Sequence, residues 1–296
     1  MNTPSEMIGQ SGRAYVVERV LQDEGLPFGR VLFARHARRN FSKILVLKGI
    51  LRGNFRSRLN IYERVGSSPF LRGLLDTIPE QSMILKDALR GLTALHERNI
   101  VHNDVKANNI LIDVKEEKEK EDEMEFERIQ LADLEDAAHI PPGSILEGAQ
   151  LGNWMWRSPE AHAQGPVGKA SDIFSFGVVC IYAVTKRVIF AVDNEELAPG
   201  EELLAAVLER QISCFADEDG LHGLLRHLGE KNPWCQVFEV LESGFNKENP
   251  RKPFSLWRVE HFDEDFKDLI SGLTNFDPAK RITGQEALAH RWFEGI

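Results

Sequence analysis

The run Ile100-Val101-His102-Asn103-Asp104-Val105-Lys106-Ala107-Asn108-Asn109-Ile110-Leu111-Ile112-Asp113 constrains this chain more than any other stretch. Two short apolar pieces bracket a polar cluster, and such a cluster between apolar runs ordinarily reads as a turn. Here the turn is crowded with chemistry. His102, Asp104, Lys106 and Asn109 stand at the spacing H-x-D-x-K-x-x-N, which puts a carboxylate, a cation and an amide oxygen within one loop.

Four further runs follow in order. Ile129-Gln130-Leu131-Ala132-Asp133-Leu134-Glu135 reads as a short apolar strand ending in a carboxylate, and Gly152-Asn153-Trp154-Met155-Trp156-Arg157-Ser158-Pro159-Glu160 comes next. Ser171-Asp172-Ile173-Phe174-Ser175-Phe176-Gly177-Val178-Val179 begins a long apolar stretch. Asp277-Pro278-Ala279-Lys280-Arg281-Ile282-Thr283, followed by Ala287-Leu288-Ala289-His290-Arg291-Trp292-Phe293, closes the series. Together the five resemble the protein kinase family: the catalytic loop, the strand that presents the D-F-G aspartate, an activation segment closed by a variant A-P-E, the buried helix of the large lobe, and that lobe's last element.

The resemblance implies an α+β, two-lobed kinase-like fold. Residues 1–84 would form a reduced, β-rich small lobe and residues 85–296 a mainly α-helical large lobe, together one domain. It implies ATP and Mg²⁺ as cofactors and a protein substrate or binding partner. Asp104 would orient the substrate hydroxyl and accept its proton, and Lys106 would steady the γ-phosphoryl group. Asn109 and Asp133 would hold magnesium through oxygen, while Lys48 and Gly29 would contact the nucleotide. Lys106, two residues after the aspartate, favours serine or threonine as acceptor. Glu160 and Arg281 would form a buried ion pair, Asp172 would hold the backbone of the catalytic loop, and Phe174, Phe176 and Trp292 would be core.

The N-terminal third matches less closely. Val31-Leu32-Phe33-Ala34 and Ile44-Leu45-Val46-Leu47 read as strands joined by a turn through Arg38-Arg39-Asn40, and Lys48 ends the second. Ahead of them, in Leu21 to Gly29, only Gly29 stands where a phosphate-covering loop needs glycine, and Asp23 and Glu24 would repel phosphate. Gly9 to Gly12 is a weaker alternative at the wrong distance from Lys48. Leu59 falls where the acidic partner of Lys48 is expected, and Glu63 comes one helical turn later. Leu85, Ala88, Leu89, Leu92 and Leu95 have helical spacing. That helix, Leu85 to Glu97, uses almost every residue before His102 and leaves none for an ordinary adenine-binding hinge.

Other departures bear on activity. Asn103 replaces the arginine that precedes the aspartate in the family, Glu135 stands at the glycine of D-F-G, and Asn153 replaces a threonine, with an amide able to make a similar bond to the aspartate. Between Asp133 and Gly152 the single hydroxyl is Ser144, a poor basis for an activating phosphorylation. Turnover as a serine/threonine kinase therefore stands beside a second reading, a pseudokinase that binds or scaffolds without turnover. A third, small-molecule phosphotransfer, is opposed by Ser158-Pro159-Glu160, Asp172 and Arg281.

Composition sets outer bounds. Hydrophobic residues at 42% and charged residues at 28% describe an ordinary globule of 296 residues, enough to bury a substantial core. No apolar stretch is long enough to span a bilayer and the first residues are polar. Three scattered cysteines suit neither a disulfide framework nor a zinc site, so cytoplasm or nucleus is the expected compartment. The net charge of −10 is uneven. Ten Lys or Arg and one acid lie between Arg30 and Arg64, but apolar strands interrupt them, so no nucleic-acid partner is expected. Eight acids and three lysines lie from Lys115 to Glu127, which reads as a solvated loop insertion.

Overall fold

In a computed structural model, residues 6–8, 14–23, 30–36, 44–48, 81–116, 124–148, 151–193, 197, 202–259 and 262–294 are described. The chain divides into two compact units, one of residues 1–84, 112–129 and 295–296, the other of 85–111 and 130–294. The architecture is α+β, with four strands first, one helix and four more strands next, and the remaining helices last among the described residues.

The first unit is built on an antiparallel sheet in sequential order, β1 (Glu6–Ile8), β2 (Ala14–Asp23), β3 (Arg30–His36) and β4 (Ile44–Lys48). Strands β3 and β4 contain the two apolar runs anticipated from sequence, and their register sets Lys48 directly opposite Val31. Strand β2 bulges between Val17 and Arg19 and again between Val20 and Gln22. Tyr15 and Ala34 are buried. Gly29, Glu24, Leu59, Glu63, Gly9 to Gly12, the Arg38-Arg39-Asn40 turn and the hinge region lie outside the described residues, whereas Asp23 closes β2 opposite Arg30.

The second unit is helical. Helix α1 spans Gln81–Glu97 and buries Leu85, Ala88, Leu89 and Leu92 on one face. It starts four residues earlier than the apolar period predicts, where Met83 is exposed and Ile84 only half-buried. After its last turn Asn99 takes a left-handed backbone, φ 57°, and β5 (Ile100–Val101) follows, paired with β8 (Ala138–His139).

Between them, β6 (Ile110–Glu116) and β7 (Met124–Leu131) form a two-stranded ribbon. The acidic run was expected to be loop throughout. Lys115 and Glu116 instead end β6, and Met124 to Glu127 begin β7. Met124-Glu125-Phe126-Glu127 alternates apolar and charged residues, a period of two that suits a strand despite the charge.

After the short helix α2 (Pro159–His162), α3 (Lys169–Thr185) is the centre of this unit. It is apolar on nearly every side and buries Ser171 through Ile181 without a break, so it must be surrounded. Helix α7 (Glu264–Leu273) packs so closely on it that a Cβ on Gly177 would lie 2.6 Å from Thr274 Cγ2. Helices α4 (Leu203–Phe215), α5 (Glu218–Leu228) and α6 (Trp234–Ser243) close a second cluster around Leu208, Ile212, Leu224, Phe238 and Phe276. Phe174, Phe176 and Trp292 are buried as expected, the last against Phe266 and against Phe293, which follows α8 (Gly284–Leu288). Among the described residues, no helix is long and apolar enough to cross a membrane.

Candidate active site

The loop after β5 is shaped from beneath by one side chain. Asp172, in the first turn of α3 and almost wholly buried, accepts the N–H of His102 at 2.7 Å and that of Asn103 at 2.9 Å. The same carboxylate meets His96 Nε2 at 3.0 Å. Three hydrogen bonds to one buried carboxylate repay much of its desolvation and fix where α1, the loop and α3 meet.

His102 couples the loop to the strand end that carries Asp133. Its Nδ1 receives the N–H of Asp104, 3.3 Å away, which assigns the ring proton to Nε2; Nε2 then donates to the carbonyl of Ala132 at 3.0 Å. Ala132 N–H in turn donates to the Asn109 carbonyl at 2.8 Å. Asp133 follows in a left-handed backbone, φ 66°, with an exposed side chain. A non-glycine residue there stores about 1–3 kcal/mol of strain, a cost that clusters at functional positions.

Asp104 is held at both oxygens. Lys106 Nζ lies 2.5 Å from Oδ2, Asn109 Nδ2 lies 3.1 Å from the same oxygen, and Asn153 N–H donates to Oδ1 at 3.0 Å. Asn109 Nδ2 also bonds the Asp104 carbonyl at 2.9 Å. Both bonds use the amide nitrogen, so the Asn109 oxygen stays outside them. An amide oxygen and a nearby aspartate form an all-oxygen donor set, which fits a hard cation such as Mg²⁺.

Asn153 departs from expectation. Its backbone N–H, not its side-chain amide, reaches Asp104, and the side-chain Oδ1 accepts from Met155 N–H at 3.0 Å. Lys48 ends β4 in the first unit, away in sequence from the cluster that gathers Asp104, Lys106, Asn109 and Asp133 in the second.

Several contributors carry no obvious sequence signal. Gly152, φ 75°, lies so close to the loop that a Cβ there would stand 2.3 Å from Asn103 O. Arg157 donates to the carbonyls of Leu151 at 2.9 Å and Gly152 at 2.7 Å. Burial lowers the proton affinity of its guanidinium, and the Asp104 charge opposes that. Asn103, φ 63°, donates through Nδ2 to the Asp136 carbonyl at 2.8 Å.

The protein kinase domain matches residues 62–293. The chain belongs to the protein kinase family. As a kinase chain it is similar to cyclin-dependent kinase 1 of Encephalitozoon cuniculi, 27% identical over 93% of this chain and 85% of that protein. It is also similar to extracellular signal-regulated kinase 1 of Dictyostelium discoideum, 27% identical over 70% of this chain and 34% of that protein. A probable cyclin-dependent serine/threonine-protein kinase of the same organism is 25% identical over 75% of this chain and 31% of its own length. The kinase match thus spans about a third of each Dictyostelium relative. The matched domain begins after Lys48 and contains every residue of the cluster around Asp104.

Proposed function

We propose that this chain transfers the γ-phosphoryl group of ATP to a serine or threonine hydroxyl of a protein. The observation that carries the reading is the Asp104 carboxylate, oriented by Lys106, Asn109 and Asn153. A general base must be placed before its proton affinity matters, and three donors place this one. Asp104 takes the hydroxyl proton. Lys106, already beside it, supplies positive charge for the moving phosphoryl group. Asn109 and Asp133 hold Mg²⁺, which when bound neutralises charge on the phosphate oxygens. Lys48 and Gly29 contact the nucleotide phosphates.

A second reading, a pseudokinase that binds partners without turnover, is favoured by one feature. Helix α1 already begins at Gln81, which leaves residues 49–80 to supply everything a hinge and its preceding elements require. The cyclin and signal-regulated names of its relatives make protein substrates and a protein partner the natural expectation for either reading.

Phosphate transfer from radiolabelled ATP to serine and threonine peptides, in wild type and Asp104→Asn, separates the two. The kinase reading expects turnover that falls by about 10²–10⁴-fold in the variant. Transfer that persists undiminished in Asp104→Asn would discredit Asp104 as the base, and no transfer by wild type favours the pseudokinase.

A further inference from the structure

The segment from Asp133 to Arg157 carries a single hydroxyl, Ser144, yet both of its halves are fastened to the catalytic loop. In the first half, Ile140 N–H donates to Asn99 O at 2.8 Å, and Ala138 and His139 pair with Val101 and Ile100. Asn103 Nδ2 then takes the Asp136 carbonyl. In the second half, Gly152 rests against the Asn103 carbonyl, Asn153 N–H reaches Asp104, and Arg157 gathers the Leu151 and Gly152 carbonyls. Apart from the Asp104 carboxylate, every acceptor in this set is a backbone carbonyl. None calls for a negative charge of the kind phosphorylation adds.

Asn103 is the residue both halves touch. Its left-handed backbone suits asparagine better than most side chains, and a neutral amide bonds a neutral carbonyl without desolvating a charge. Ser144 sits elsewhere, exposed in a turn closed by its own N–H on Pro141 O, beside a groove formed with residues 166–171.

We infer that Asn103 is a positioning residue whose side-chain amide latches the first half of this segment to the catalytic loop, so that Asp104 is held in place without phosphorylation of the segment. The consequence for turnover rests on the phosphoryl-transfer reading; the latch rests on the geometry alone.

The test is hydrogen–deuterium exchange at residues 135–140 of the full chain, run beside steady-state peptide phosphorylation, in wild type, Asn103→Gly, Asn103→Asp and Ser144→Ala. Glycine keeps the left-handed backbone and the N–H that Asp172 holds while deleting the amide. Aspartate keeps the shape, but its carboxylate cannot donate to Asp136 O. Both Asn103 variants should exchange about fivefold faster at these amides and lose about fivefold in kcat with KM for peptide unchanged. Ser144→Ala and phosphatase-treated wild type should match untreated wild type in both readouts. Unchanged exchange in both Asn103 variants would overturn the latch, as would loss of order or activity in Ser144→Ala or after phosphatase. Faster exchange in a chain that phosphorylates nothing would keep the latch and sink the kinase reading. Wild-type exchange alongside full turnover would do the reverse.

Discussion

The Glu160 carboxylate and the Arg281 guanidinium meet through two hydrogen bonds of 2.6 and 2.8 Å, with neither side chain exposed to solvent. Ser171 adds a third bond to Glu160 at 2.7 Å, and Arg281 also reaches the Asn275 and Ala170 carbonyls and stacks 5.0 Å above the Phe174 ring. The pair ties the end of the segment that closes over Asp104 to the last elements of the helical unit.

Replacing Glu160 by Gln leaves the guanidinium buried without its counter-charge and should cost about 3–5 kcal/mol, read from urea unfolding. The pair also sets an acid limit. Burial alone pushes the Glu160 carboxyl up, but the Arg281 charge and the bonds from Arg281 and Ser171 outweigh it and bring the group from 4.5 down to about 2. Between those values the unfolded chain binds a proton that the folded chain refuses, so acid favours unfolding. The stabilisation is whole above about pH 5 and is lost as the pH falls toward 2. The urea midpoint of wild type should therefore drop more steeply across that window than that of Glu160→Gln, and parallel slopes would contradict the assignment.

Gly152→Ala tests the close approach over the loop. The added Cβ would sit 2.3 Å from Asn103 O at a backbone angle that alanine disfavours, so the segment must shift and take the Asn153 N–H off Asp104. A stability loss of about 1–3 kcal/mol is expected, with peptide phosphorylation falling at least tenfold.

Asp172→Asn keeps the shape but replaces a charged acceptor of three bonds by one amide oxygen. Destabilisation of about 2–4 kcal/mol should follow, because at least one of the His102 and Asn103 N–H groups loses a strong partner while buried. Thermal unfolding measures it, and an unchanged midpoint would deny Asp172 its supporting role.

Much of this was legible in the chain because motifs in family order or long apolar runs carry it. The Glu160–Arg281 pair was legible through the kinase resemblance, the buried central helix through the apolar run after Asp172, and strands β3 and β4 through their unbroken apolar runs. What escaped the sequence depends on backbone shape. The left-handed angles of Gly152, Asn103 and Asp133 leave no periodic trace, although Asp133 and Asn103 themselves stand out, and Asn153 serves Asp104 through an N–H that every residue but proline possesses. His96 and Arg157 carry no periodic signal, and their partners, Asp172 and the Leu151 and Gly152 carbonyls, lie far off in the chain or on the backbone. The start of α1 at Gln81 escaped because Met83 and Ile84 do not join the buried stripe that begins at Leu85.

Calorimetric titration with ATP in the presence and absence of magnesium, on wild type and Asp133→Ala, tests the central claim most directly. The account predicts magnesium-dependent binding at millimolar nucleotide or tighter by wild type, weakened at least tenfold in Asp133→Ala. No binding at millimolar ATP, or binding indifferent to both magnesium and Asp133, would contradict it.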